Sequence, residues 1–167
     1  NRGDCLSVLG VAREIGAIRG KPIKNIELSN RKAATSSRIS LSVTTPVDAP
    51  RYVGRVIEKL DATSRTPDWI KERLRRSGLR SLGAIVDVTN YVMLELGQPL
   101  HAFDLRAVRE GIVVRPAGRG ESLTLLDGTV LRLKPPTLVI ASDAGAIGLA
   151  GIMGGQNSGV DENTQSI

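Results

Sequence analysis

Residues 86–104, with the sequence VDVTNYVMLELGQPLHAFD, combine an apolar helical pattern with polar side chains and contain the chain's single histidine, His101. Apolar residues recur at the spacing of an amphipathic helix, which we predict over residues 84–96. These apolar positions include Val88, Val92 and Leu96. Gly97 and Pro99 follow, and both residue types end helices, so the chain should turn sharply here.

Polar side chains along this helix and after its end predict a small pocket. Asn90 needs hydrogen-bonding partners if it is buried, and Gln98 and His101 follow the turn. A lone histidine beside an aromatic residue is more often structural than catalytic, so both roles stay open. Asp87 and Glu95 could form ion pairs, cap the helix or face water. The residues alone therefore predict a polar pocket but no reaction.

Length and composition describe one domain with an aliphatic core. The chain has 167 residues, of which only 2% are aromatic. No apolar run approaches the roughly 20 residues of a membrane span, so no membrane is expected. Cys5 is the only cysteine, which excludes a disulfide framework and favours the cytoplasm. The chain begins at Asn1 without a methionine, so we expect a piece of a longer protein.

Positive charge is concentrated in the first half of the chain. Residues 1–80 carry seventeen Lys and Arg against eight Asp and Glu, whereas residues 81–167 carry six against nine. One cluster consists of Arg73, Arg75, Arg76 and Arg80. It could contact nucleic-acid phosphates, or it could be a solvated helix end. Trp69 is predicted to anchor the core, with nucleic-acid stacking as the alternative.

Local signals predict an α+β chain. We predict a first helix within residues 1–20, capped by Asp4, and a second helix that Thr66 caps and Pro67 begins. Asp127-Gly128 predicts a β-hairpin. Further strands are predicted at residues 39–43, 52–57, 111–115, 137–141 and 147–152.

Four segments resemble the β subunit of bacterial phenylalanyl-tRNA synthetase, in the family's order and along essentially the whole chain. They are NRGDCLSVLGVAREIGA, GLRSLGAIVDVTNYVMLELGQPLHAFD, GIVVRPAGRGESLTLLDG and LVIA with LAGIMGGQNSGVDENT. The resemblance implies an α+β fold of the β-subunit editing type, with a mixed or antiparallel sheet and flanking helices, truncated at its C-terminus. It divides the chain into the closing helix of a preceding domain (1–20), a linker (21–37) and an incomplete editing domain (38–167).

The resemblance also implies a function. The family enzyme is an (αβ)₂ heterotetramer that joins phenylalanine to tRNA(Phe) with ATP and Mg²⁺, and its α subunit performs most of the synthetic chemistry. The β-subunit module hydrolyses tyrosine mischarged onto this tRNA. Five residues match its editing pocket: His101, Asn90 and Arg80 as catalytic residues, and Thr89 and Gly154 as substrate-binding residues. No metal or cofactor is implied within this region.

One departure from the family pattern concerns the C-terminus. The family's tyrosine-recognising glutamate lies a few residues after the segment that resembles DENTQSI, and the 167-residue chain ends with that segment. We therefore expect this chain alone not to edit. Two other classes stay open. One is a non-catalytic tRNA-binding or docking module, and the other is an independent editing or nucleotide-handling protein, against which the helix in residues 1–20 argues.

Overall fold

The computed structural model describes residues 2–24, 26 and 29–167. These residues form two compact units. The first unit comprises Asn1–Ser36 and Thr63–His101, and the second comprises Ser37–Ala62 and Ala102–Ile167. No helix in the described ranges is both long and apolar enough to cross a bilayer.

The first unit is helical. Its helices are α1 (Val8–Arg19), α2 (Asp68–Arg76) and α3 (Ala84–Leu96), of which α3 has the predicted bounds. Helix α1 ends at Gly20, whose φ of 60° is the left-handed conformation that glycine adopts without strain. The prediction of Asp4 as its cap is wrong. Ser7 caps α1 by accepting a 2.9 Å hydrogen bond from the Gly10 N–H, while Asp4 pairs with Arg2.

The start of α2 differs from the prediction by one residue. Pro67 occupies the N-cap position, and its carbonyl accepts the first helical hydrogen bonds. The predicted Thr66 cap is wrong, because this side chain is buried and its hydroxyl donates to a carboxylate of α3. The prediction that Trp69 anchors the core is also wrong, since it is 54% exposed, and Ile70 and Leu74 form the buried face of α2.

The second unit is built on a mixed sheet. Its strands are β1 (Leu41–Val43), β2 (Ile112–Pro116), β3 (Ser122–Thr124), β4 (Val130–Arg132), β5 (Leu138–Ser142), β6 (Gly145–Leu149) and β7 (Met153–Gly154). Five strands pair in the order β1-β2-β5-β6-β7, with β1 parallel to β2 and the other pairs antiparallel. Strands β3 and β4 form a separate two-stranded sheet. The predicted mixed α+β fold is confirmed.

Two local predictions in the second unit have opposite outcomes. The hairpin at Asp127-Gly128 is confirmed, because Gly128 has a φ of 84° and the Asp127 carboxylate accepts from the Thr129 N–H at 2.9 Å. The strand predicted over residues 52–57 is wrong. This segment contains no strand. Ile57 at its end exchanges two backbone hydrogen bonds with Ile167, and the next residue, Glu58, forms an isolated bridge with Ser166.

Candidate functional site

Helix α3 carries two of the predicted site residues near its middle. Thr89 and Asn90 are both half-buried. The Thr89 hydroxyl donates to the Val86 carbonyl at 2.7 Å, one turn earlier in the helix. This bond fixes the orientation of the Thr89 side chain, and its hydroxyl oxygen keeps the capacity to accept a hydrogen bond.

A fully buried carboxylate fastens the start of α3 to its surroundings. The Asp87 side chain is 0% exposed. It accepts hydrogen bonds from the hydroxyls of Thr66 and Ser81, each at 2.5 Å, and from the Leu82 N–H at 2.9 Å. Burial raises the pKa of Asp87, but these bonds outweigh burial and lower the pKa below its ordinary value. Asp87 is therefore ionised at neutral pH.

Arg80 and His101 lie on either side of α3 in the chain. Arg80 is exposed and immediately precedes Ser81 and Leu82, the residues that Asp87 holds. His101 follows the end of α3 at Gly97, whose φ is 74°. His101 is exposed at the surface, yet desolvation by nearby protein atoms lowers the pKa of its imidazole. The neutral imidazole, which can accept one hydrogen bond and donate another, predominates at pH 7.

The fifth predicted residue belongs to the other unit. Gly154 ends β7, where it is half-buried and pairs with Gly148 of β6. The structure thus places Arg80, Thr89, Asn90 and His101 in the first unit and Gly154 in the second. The roles of all five residues stay predictions.

Asp87 is one of the two acidic residues of α3 whose role the sequence left undecided. Its partners Thr66 and Ser81 lie 21 and 6 residues away in the chain. The one local signal was a carboxylate in the first turn of the predicted α3, where the helix dipole favours negative charge.

Two surface depressions lie away from these residues. One, in the second unit, has a volume of about 270 Å³ and is lined by Leu60–Ala62 and Glu162–Gln165. The other, in the first unit, has a volume of about 540 Å³ and is lined by α1 and by Ile23, Lys24, Ile26 and Glu95. Neither depression includes a predicted site residue.

One group of described side chains has donors that could hold a metal. Asp4, Cys5 and Glu14 present ligand atoms within 4.8 Å of one another. The Arg2 guanidinium forms ion pairs with both carboxylates of this group, at 2.5 Å and 2.8 Å. A cation is thus already supplied by the protein, and these residues are not among the predicted site residues.

Comparison with known proteins identifies the family. The pattern that describes the B3/4 domain matches residues 48–167. The chain belongs to the B3/4 domain family. Over all of its 167 residues it is 52% identical to the phenylalanine–tRNA ligase β subunit of Nitrosococcus oceani, and 51% identical to that of Hahella chejuensis. The predicted resemblance to this β subunit is thereby confirmed.

The chain spans 21% of the length of these curated relatives. A crystal structure of an N-terminal fragment of the phenylalanyl-tRNA synthetase β subunit from Pyrococcus horikoshii has the same fold. The match has a TM-score of 0.53 at 18% sequence identity, and it covers 99% of this chain and 51% of that one. The B3/4 fold is therefore shared with a distant β subunit, although fewer than one residue in five is identical.

Proposed function

We propose that this B3/4 domain contributes to hydrolytic editing of tyrosine mischarged onto tRNA(Phe). The observation that carries the proposal is the 50–52% identity, along the entire chain, with proteins named phenylalanine–tRNA ligase β subunit. The complete protein would be the cytoplasmic (αβ)₂ enzyme, whose α subunit activates phenylalanine with ATP and Mg²⁺. This region itself needs no metal or cofactor for ester hydrolysis.

The need for editing follows from the two amino acids. Tyrosine differs from phenylalanine by one hydroxyl, and an apolar pocket rejects an added hydroxyl only about 10²-fold. A second site that accepts the hydroxyl through a polar partner can remove the remaining errors. Hydrolysis there requires a positioned water and donors that stabilise the developing oxyanion, for which backbone N–H groups suffice.

The geometry of the first unit suits these tasks. Asn90 lies on a helix whose start is fixed by a buried carboxylate, so its amide is held on a rigid support. We assign Asn90 and the neutral imidazole of His101 to holding the 3′ end and the aminoacyl group. The exposed guanidinium of Arg80 lies close by in the chain and suits a phosphate. Thr89 and Gly154 are each proposed as substrate-binding residues.

Deacylation of Tyr-tRNA(Phe) by the complete synthetase tests the proposal. His101→Ala and Asn90→Ala should each slow Tyr-tRNA hydrolysis by at least about tenfold, because each removes a positioning hydrogen bond. Phenylalanylation should stay unchanged, which shows that the enzyme is folded. Arg119→Ala, an exposed residue in the loop between β2 and β3, serves as the control. Unchanged Tyr-tRNA hydrolysis in both pocket variants would reject the proposal. The same assay on the 167-residue chain tests whether it edits alone.

A non-catalytic tRNA-binding module is the second candidate. The observation that favours it is the positive charge of residues 63–80, which carry six Lys and Arg against two Asp and Glu. In that case His101→Ala would lower tRNA affinity while the rate of Tyr-tRNA hydrolysis stayed the same.

A further inference from the structure

We infer that Trp69 and the arginines of α2 form an RNA-stacking surface distinct from the predicted pocket residues. We call Trp69, Arg73 and Tyr91 the Trp69 platform. The inference rests on the proposed function only in taking RNA as the partner, and it concerns binding rather than hydrolysis.

The platform holds an exposed aromatic ring in one orientation. The Trp69 and Tyr91 rings meet edge to face, with centroids 5.1 Å apart and planes at 90°. The Arg73 guanidinium lies 5.4 Å from the Trp69 ring centroid and donates to the Tyr91 hydroxyl at 2.8 Å. Trp69 nevertheless remains 54% exposed. A ring that is already oriented loses little side-chain entropy when a base stacks on it.

Two further arginines lie on the same helix as this ring. The Arg75 and Arg76 side chains are 72% and 73% exposed. Both bind the Glu72 carboxylate, at 2.8 Å and 2.7 Å, and these hydrogen bonds lower the pKa of Glu72 to about 2. Glu72 therefore orients two guanidinium groups near the surface and also masks part of their charge.

RNA fits this combination better than an apolar protein surface does. A protein partner that covered Trp69 would have to desolvate the neighbouring guanidinium groups, which is costly unless each finds a carboxylate. An RNA strand supplies both requirements, because bases stack on the ring and phosphates bind the arginines. Every base has a stacking face, so the contact is to an unpaired nucleotide of any sequence.

Fluorescence and anisotropy with the full chain test the inference. Trp69 is the only tryptophan, so its emission reports directly on this surface. The probes are a short labelled single-stranded RNA and an abasic phosphodiester oligomer of the same length and charge. RNA should quench Trp69 emission, whereas the abasic oligomer should bind without quenching it.

Three variants separate stacking from charge. Trp69→Ala should weaken RNA binding by about tenfold, and Trp69→Phe should restore part of it. The double variant Arg75→Gln with Arg76→Gln should reduce the salt slope of binding by roughly two. Glu72→Gln should tighten RNA binding and steepen that slope, because it unmasks both guanidinium groups. If the ion pairs of Glu72 served only the structure of the helix, Glu72→Gln would not tighten RNA binding.

Matched controls lie on the second unit. Leu126 is also 54% exposed, and Arg119 is exposed, so Leu126→Ala and Arg119→Gln remove equivalent surface elsewhere. The inference is overturned if Trp69→Ala binds RNA as tightly as Leu126→Ala does, or if the abasic oligomer quenches emission as strongly as RNA does. The rate of Tyr-tRNA hydrolysis in the pocket variants does not enter this comparison of RNA binding. Failure of the editing proposal and failure of the stacking inference can therefore be recognised separately.

Discussion

Replacement of Asp87 tests how strongly this buried carboxylate stabilises α3, the helix that carries two of the predicted site residues. Asp87→Ala removes an ionised acceptor from three donors, of which only the Thr66 hydroxyl is buried, at 4% exposure. A buried hydroxyl left without a partner costs about 1–3 kcal/mol. Ser81 and Leu82 are exposed and can bond to water instead, so they add only about 1 kcal/mol. The free energy of unfolding should therefore fall by about 2–4 kcal/mol.

Asp87→Asn is the informative companion. The carbonyl oxygen of the substituted amide can still accept from the Leu82 N–H, and the hydroxyls of Thr66 and Ser81 can rotate to accept from its NH₂ group. Only the charge is lost, so the cost should be about 1 kcal/mol, the difference between a charged and a neutral hydrogen bond. The pair of variants thus distinguishes geometry from charge.

Urea unfolding followed by Trp69 fluorescence measures both effects, because Trp69 belongs to the same compact unit as Asp87. The folded pKa of Asp87 is lowered, so its ionised form stabilises the protein above the unfolded pKa. That stability should be lost as the pH falls through the folded pKa, and Asp87→Asn should lose less over the same range. Equal stability of wild type and Asp87→Ala, or an Asp87→Asn variant as unstable as Asp87→Ala, would refute this reasoning.

Two further predictions concern the second unit. Arg115 forms a bidentate pair with Glu121 and lowers the pKa of this carboxylate to about 2, so the pair's stability is present above about pH 4.5 and is lost between there and pH 2. Glu121→Gln should lower the free energy of unfolding at pH 7 by about 2–3 kcal/mol and flatten its decline in acid, as measured by circular dichroism during urea unfolding. Gly155→Ala would place a Cβ 2.7 Å from the Ile147 carbonyl oxygen and should cost about 1–3 kcal/mol in the same assay, whereas Gly3→Ala, with open space around it, should cost much less. An unaltered acid profile or a stable Gly155→Ala protein would contradict these two arguments.

Elements with local signals were predictable from the sequence. Helix α3 has its predicted bounds because its apolar spacing is regular and Gly97 supplies the left-handed end. The hairpin at Asp127-Gly128 has a three-residue loop, residues 126–128, because the Leu125 N–H donates to the Thr129 carbonyl. The last loop position is left-handed, with a φ of 84° at Gly128, which favours glycine there. The mixed sheet order could not be read from these signals, since parallel pairing of β1 with β2 joins residues about seventy positions apart.

The failed predictions share a physical cause. A local sequence pattern does not show which distant residues a segment or side chain will contact. Residues 52–57 have strand-like composition, but only Ile57, at their end, pairs with another segment, through two backbone hydrogen bonds with Ile167. Tyr52 packs against the core as part of an irregular segment. Thr66 has the residue type of a helix cap, yet a buried carboxylate 21 residues later uses its hydroxyl. Trp69 has the apolar area of a core residue, but Ile70 and Leu74 already fill the buried face of α2.

The candidate site, like the fold, was only partly predictable from the sequence. The family resemblance supplied the five site residues, and the structure adds how the start of α3, the helix that carries Thr89 and Asn90, is held in place. Asp87 could not have been found from chemistry alone, because an acidic residue in a first helical turn is more often exposed. Only the meeting of Thr66, Ser81 and Asp87 reveals that the segment before α3 is fastened to the helix.

The two proposals for the first unit meet on α3. Asn90 and Tyr91 are consecutive, so their side chains leave the helix about 100° apart, and the Tyr91 ring contacts Trp69. A change that loosens the whole helix, such as Asp87→Ala, should therefore impair both RNA stacking and Tyr-tRNA hydrolysis. Trp69→Ala should weaken RNA binding and leave the hydrolysis of saturating Tyr-tRNA unchanged, because the rigid start of α3 does not depend on the indole. A Trp69→Ala enzyme that hydrolyses Tyr-tRNA slowly even at saturation would show instead that the platform is part of the support for Asn90.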